Sequence, residues 1–198
     1  MDFVDAYKRG LLKALETLEL EKVRLAITWL REARDQGHRI FTCGNGGSCA
    51  TASHLVTDLA KGASYRHARR FRALSLVDSS ATLTAYTNDV AYDIVFSEQL
   101  QNFAQPGDVL VAISCSGNSP NIVEAVRSAN GLGCRTIALT GHDGGEVGRI
   151  AKLNILVSEP HMGRIEDVHL IVAHMLAYAF IDRPSRKSAP SGRTPERQ

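Results

Sequence analysis

The chain has no Cys-x-x-Cys pair, no apolar run approaching a membrane span and almost no excess of either charge. Each absence removes a class of function. Four cysteines (Cys43, Cys49, Cys115 and Cys134), scattered over 198 residues, make neither a zinc ribbon nor a disulfide framework. A chain of this length buries enough core to stand without disulfides, so buried free thiols are expected. No stretch reaches the roughly 18 apolar residues of a bilayer-crossing helix, and no N-terminal apolar segment precedes a cleavage site. The expected location is the cytoplasm, with no membrane partner. A net charge of +2, part of it near the C-terminus, is not a nucleic-acid footprint. Neither GxxxxGKS/T nor GxGxxG occurs, which leaves nucleotide binding without its usual cradles. There is no internal repeat.

What is present reads as one globular domain over 1–182, with 44% hydrophobic and 22% charged residues. Residues 1–36 read as helices. Leu11, Leu12, Leu15, Leu18 and Leu20 give one apolar face, and Val23, Leu25, Ala26, Trp29 and Leu30 continue it after a break. Such an arm packs on a second subunit or on its own domain. Short strands follow at 38–44, 71–77, 108–114, 134–140 and 153–158. Helical segments fall at 47–61, 80–88, 91–103, 119–131, 144–150 and 163–182. Strands that are apolar runs and alternate with helices predict a doubly wound, five-stranded parallel sheet covered on both faces. In such folds ligands bind beyond the carboxyl ends of the strands. The segment 183–198, rich in Pro, Ser and Arg, has little to bury and is expected to be a disordered tail.

Two strand ends carry the same punctuation. The stretch CGNGGSC (43–49) leads from the first strand into a helix, and SCSGNS (114–119) follows the third. Glycine lets a backbone approach closely, a helix start offers free amides, and its dipole adds partial positive charge. Serine hydroxyls add neutral donors. Ser114, Ser116 and Ser119 around Gly117 suit a phosphate monoester.

Reactive side chains lie on two helices. His54 and Asp58 are four apart, on one face, roughly 5–6 Å from each other. The last helix carries Glu166, His169 and His174 among Ile165, Val168, Leu170, Ile171 and Val172. Spacing alone pairs Glu166 with His169, because i,i+3 residues can share one metal. Glu166 and His174 are about 12 Å apart along the axis.

Strand–GNGGS–helix, then SxSGNS after a central strand, then LTGHDGG at 139–145, resembles the sugar isomerase (SIS) family. Within it, the chain is most similar to the phosphoheptose isomerases, over about residues 1–182. The resemblance implies interconversion of sedoheptulose 7-phosphate and D-glycero-D-manno-heptose 7-phosphate, with no organic cofactor. It implies a metal site at His54, Asp58, Glu166 and His174, with Zn²⁺ the first choice and Mn²⁺, Fe²⁺ or Ni²⁺ acceptable to the same donors. It places the acid–base pair at Asp58 and His174, with Glu166 the alternative base. Substrate contacts carry over to Asn45, Gly46, Gly47 and Ser48, to Asn88 and Asp89, and to Ser114, Cys115, Ser116 and Ser119. Cys115 reads as a small residue whose amide matters, not as a nucleophile. A homotetramer with active sites at subunit boundaries is also implied.

The chain departs from the family twice: Asp58 replaces a Glu and Glu166 replaces a Gln. The first shortens a carboxylate by one methylene and the second adds a charge. The alternative reading is a non-catalytic SIS sugar-phosphate binder, or a partner of the replication initiator DnaA. Loss of the acid–base groups would mark it, and His174 is retained.

Overall fold

A computed structural model describes residues 2–181; the expected tail at 183–198 lies outside them. Two helices come first, α1 (Phe3–Glu16) and α2 (Leu20–Gln36). Then strands and helices alternate: β1 (Arg39–Gly44), α3 (Gly46–Thr57), β2 (Arg72–Ser75), α4 (Ser80–Asp89), α5 (Ser97–Phe103) and β3 (Val109–Ser114). The remainder is α6 (Pro120–Gly131), β4 (Arg135–Gly141), α7 (Gly145–Ile150), β5 (Leu153–Val157) and α8 (Met162–Ile181). All neighbouring strands are parallel, in the order β2-β1-β3-β4-β5.

The sheet is central because its strands are apolar on both faces. Every residue of β3 is buried. Val109, Val111 and Ile113 point to the side of α2, α3 and α8, whereas Leu110 and Ala112 point to the side of α5 and α6. This is the period of two expected of a strand covered twice. Arm helix α1 packs on its own domain through Leu11, Ala14 and Leu15, joined by Leu18 of the turn that follows, and leaves Phe3, Val4 and Leu12 exposed. Cys43, Cys115 and Cys134 are buried free thiols, and Cys49 is half-buried.

Three expected elements differ. The helix expected over 47–61 is α-helical only to Thr57, and Asp58–Gly62 is a π-turn closed by Ala63 N–H donating to the Asp58 carbonyl at 2.8 Å. The stretch expected as helix over 91–103 is a 3-10 turn at Tyr92–Ile94 followed by α5. The strand expected over 71–77 pairs only over Arg72–Ser75, at the edge of the sheet.

Strand order reverses between β1, whose other neighbour is β2, and β3, which goes on to β4. That reversal opens a crevice at the carboxyl ends of these two strands. The loops after β3 and β4 interlock beside it. Gly117 has φ +63°, and a Cβ there would overlap the Gly144 carbonyl. Val147 N–H donates to the Gly117 carbonyl at 2.8 Å, and Glu146 N–H to Asn118 Oδ1 at 3.0 Å. Gly117→Ala is therefore expected to cost roughly 1–3 kcal/mol or more in chemical denaturation, since it combines a strained φ with a backbone overlap. Gly131→Ala, where a Cβ meets nothing within 4 Å, is the control and should change little.

Candidate functional site

The crevice holds a cleft of about 300 Å³ lined by Asn45–Ser48, Ile113–Ser116, Ser119, Met162 and Glu166. Two helix starts open into it, α3 behind Asn45 and α6 behind Ser119 and Pro120. Ser119 makes no side-chain capping bond, so its hydroxyl is not used by the helix. Ser114 Oγ accepts from Gly117 N–H at 3.1 Å and Ser116 Oγ from Asn118 N–H at 3.2 Å, which fixes the loop and leaves both hydroxyl protons to donate. The loop is thus a ring of neutral donors at a helix N-terminus, suited to an anion.

Asn45 is set by neighbours that the sequence does not mark. Its amide exchanges two bonds with Asn121, both at 2.9 Å, and Tyr92 Oη–H donates to Asn45 Oδ1 at 2.8 Å. Asn121 is buried, and its position two residues past Ser119 was the only sequence signal. Asn88 and Asp89 are not among the cleft-lining residues. They stand on the exposed end of α4, where Asn88 Nδ2–H donates to Asp89 Oδ1 at 2.7 Å. Cys115 lines the cleft with its thiol pushed above its ordinary pKa by burial, opposed by a contact with Ser48 and reinforced by the Glu166 charge. Such a thiol is protonated at neutral pH, as a non-nucleophilic role requires.

The second cluster joins α3 to α8. His54 Nε2 lies 3.3 Å from Asp58 Oδ2 and 3.0 Å from His174 Nε2. The two rings meet edge to face, with centroids 4.9 Å apart. One ligand atom from each of the three lies within 4.8 Å of the others. Asp58 Oδ2 is buried and has no hydrogen-bond partner, despite its closeness to His54. Two imidazole nitrogens and a carboxylate oxygen facing one point fit a divalent ion. Donors about 2 Å from a tetrahedral Zn²⁺ stand roughly 3.3 Å from each other, close to the spacings here.

Glu166 is not in this cluster. It lies two turns earlier on α8, against Gly47, where a Cβ would collide with its carboxylate. Within one chain the set is therefore three residues, not four. His169, which spacing paired with Glu166, is turned into the core at 1% exposure, with both ring nitrogens lacking hydrogen-bond partners. A helix places i and i+3 on adjoining faces; here one face meets the cleft and the other the sheet. The turn carrying Glu166 is pinned by α1, where Tyr7 Oη–H donates to Asp167 Oδ2 at 2.7 Å. No sequence pattern announced that link.

Comparison with known proteins bears on the family and the fold. The model of the SIS domain matches residues 2–141. A phosphoheptose isomerase of Aliarcobacter butzleri is 37% identical over 175 residues, covering 86% of this chain and 89% of the relative. The chain belongs to the SIS family, in its phosphoheptose isomerase branch. Another phosphoheptose isomerase, from Akkermansia muciniphila, is 42% identical over 140 residues, which is 71% of this chain and 74% of that one. The solved phosphoheptose isomerase GmhA of Neisseria gonorrhoeae superposes with a TM-score of 0.83 at 32% identity, over 89% of this chain and 96% of that one. Like these relatives, this SIS-family chain has a five-stranded parallel sheet flanked by helices.

Two measurements test the clusters. Titration of Zn²⁺ into the metal-free protein, followed by calorimetry, should show one site per chain, weakened at least about tenfold in Asp58→Asn and in His174→Ala. His169 gives a pH signature of its own. Burial lowers its pKa from 6.5 to about 4, with the Thr140 backbone pulling weakly the other way. As pH falls below 6.5 the unfolded chain takes up this proton first. The contribution is complete above that pH and is lost toward pH 4, amounting to roughly 3 kcal/mol. Urea midpoints between pH 7 and 4.5 should fall accordingly, and His169→Leu should flatten that slope.

Proposed function

We infer that the chain is an aldose–ketose isomerase acting on sedoheptulose 7-phosphate, giving D-glycero-D-manno-heptose 7-phosphate, or on a close analogue. The observation that carries this reading is the convergence of His54, Asp58 and His174, with a buried carboxylate oxygen left unpartnered, in a molecule that also has a neutral-donor cleft at its switch point. The names of its relatives support the same activity.

The phosphate is held by Ser114, Ser116 and Ser119 and by the amides that open α6. Asn45, Gly46, Gly47 and Ser48 contact the sugar, and Asn88 and Asp89, which lie outside this chain's cleft, are assigned to the hydroxyls of sugar bound at a neighbouring chain's site. Asp58 removes the proton from the carbon beside the carbonyl. The electron pair of that C–H bond forms the C=C bond of an enediolate, and the carbonyl π pair moves onto oxygen. Asp58 returns the proton to the neighbouring carbon, which makes the aldose from the ketose. His174 carries the proton that moves between the two oxygens. Proton transfers of this kind each contribute typically 10²–10⁴-fold. A divalent ion, Zn²⁺ by its donor set, would be held by His54, Asp58 and His174 and would supply Lewis acidity beside the reacting carbonyl. Cys115 gives its backbone amide and size, not its sulfur.

The cleft and the histidine cluster are reached from positions about 12 Å apart on α8. The reading therefore includes a homotetramer in which neighbouring chains complete each site. The exposed apolar side chains of α1 (Phe3, Val4, Leu12) and of α8 (Met175, Tyr178) are surfaces for such contacts. The enzyme is proposed to act in the cytoplasm. Among the described residues no helix is long and apolar enough to cross a membrane.

Incubation with sedoheptulose 7-phosphate in D₂O, followed by NMR, should give the aldose with deuterium at C2. Chelation should slow the reaction and Zn²⁺ restore it. Asp58→Asn and His174→Ala should each lower kcat by about 10²-fold or more, while Ser116→Ala raises KM. An Asp58→Asn enzyme of near-normal kcat would move the base to Glu166. No exchange and no product would leave a phosphosugar-binding protein.

A further inference from the structure

Asn45 stands at the N-cap of α3, where an Asn side chain ordinarily accepts from an amide of the helix's first turn. Here it makes no capping bond. Its carboxamide turns instead to Asn121, at the start of α6, and to Tyr92, in the 3-10 turn that follows α4. Oδ1 accepts twice, from Asn121 Nδ2–H at 2.9 Å and from Tyr92 Oη–H at 2.8 Å, which uses both of its lone pairs. Nδ2 donates once, to Asn121 Oδ1 at 2.9 Å. Among the described residues the second Nδ2–H meets no acceptor, and Asn45 lines the cleft.

The pair of amides does not fix this arrangement by itself. If both turned over together, their two mutual bonds would be restored, and Asn45 would offer the cleft a lone pair instead of a hydrogen. Tyr92 breaks the symmetry. A phenol donates a hydrogen bond better than it accepts one, because the ring draws on the oxygen's lone pair, so Tyr92 favours the orientation with Oδ1 beside it. We propose that Tyr92 is a positioning residue, which acts through Asn45 and makes the cleft offer the sugar an N–H donor and no amide acceptor. Asn121 holds the same carboxamide from the other side, buried at 1% exposure. A neutral donor of fixed direction suits a carbonyl or hydroxyl oxygen of the sugar, and gains most where that oxygen takes on negative charge. The inference rests on the phosphosugar reading, in which Asn45 contacts the sugar; Tyr92 itself touches no ligand.

The test is a double-mutant cycle on the full chain. Tyr92→Phe removes one hydroxyl from a side chain that is 47% exposed, so the fold should hold. It should lower kcat/KM for sedoheptulose 7-phosphate by at least about threefold, the size of one net hydrogen bond. Inorganic phosphate, measured by calorimetry, should keep its Kd within twofold, since Ser114, Ser116 and Ser119 are untouched. In an Asn45→Ala background the same Tyr92→Phe change should cost less than twofold, an outcome that a merely structural hydroxyl would not give. Should Asn45→Ala fail to fold, Asn45→Asp takes its place, because it keeps the shape and has no N–H for the cleft. A smaller loss in Tyr92→Phe, an equal loss of phosphate affinity, or a loss that persists without Asn45 overturns the proposal. If the wild type binds sedoheptulose 7-phosphate without turnover, the isomerase reading falls and the same cycle is read in Kd. Turnover by the wild type with no loss in Tyr92→Phe does the reverse. Neither binding nor turnover overturns both.

Discussion

The reversal of strand order between β1 and β3 is the constraint on which the rest of the molecule depends. Helices that follow these two strands leave on opposite faces of the sheet, so their starts separate and a crevice opens between them. The two loops that enter the crevice must then be built of residues small enough to let backbone amides face it. That accounts for Gly46, Gly47 and Ser48 after β1, and for Ser114, Cys115, Ser116 and Gly117 after β3. The loop after β4 closes the arrangement from the side, because Gly117 and Gly144 touch backbone to backbone. A cleft made of amides and hydroxyls carries no permanent countercharge. Its attraction for an anion comes from aligned dipoles, which is a short-range effect and demands accurate placement.

Helix α8 is the ruler of the site. Its buried stripe of Ile165, Val168, Val172 and Leu176 fixes its rotation against the sheet. Given that rotation, Glu166 must face the cleft, His169 must face the core and His174 must face α3. No side chain on α8 can be re-aimed without unpacking the stripe. This is how one helix serves a binding cleft at one end and a histidine–carboxylate cluster at the other. It is also why a neutral, unpartnered imidazole at His169 is tolerated: the position belongs to the packing, not to the chemistry.

The strands and their parallel arrangement were legible because β3 is an apolar run, and β1 and β4 are short, mostly apolar segments rich in β-branched residues that alternate with helices and end in glycine. The cleft was legible too, since two small-residue loops after β1 and β3 meet at the carboxyl ends of these neighbouring central strands. Other features were not. The separation of Glu166 from His54 and His174 depends on the register of α8 against α3, a tertiary fact with no local signature. Tyr7 and Asp167 are 160 residues apart and carry no motif. Asn121 looks like any polar residue of a first helical turn until it is seen buried against Asn45. The π-turn at Asp58 was read as plain helix because Asp-Leu-Ala-Lys has ordinary helical propensity.

That π-turn bears on the shorter carboxylate. An α-helix advances 40° beyond a full turn in four residues. From α3 through the π-turn the core face runs through Leu55, Leu59 and Ala63, all fully buried and four apart, so an unbroken α-helix would carry Ala63 about 80° away from Leu55. The wider turn over Asp58–Gly62 takes this drift back, and the three stay on one side. The adjustment begins at Asp58 and leaves the turn before it α-helical. His54 and Asp58 consequently keep their i,i+4 relation, and Oδ2 still comes within 3.3 Å of His54 Nε2. An Asp at this position reaches the cluster because the helix changes pitch after it, not before. Local widenings of this kind gather at functional sites, where packing and chemistry ask one helix for two different periods.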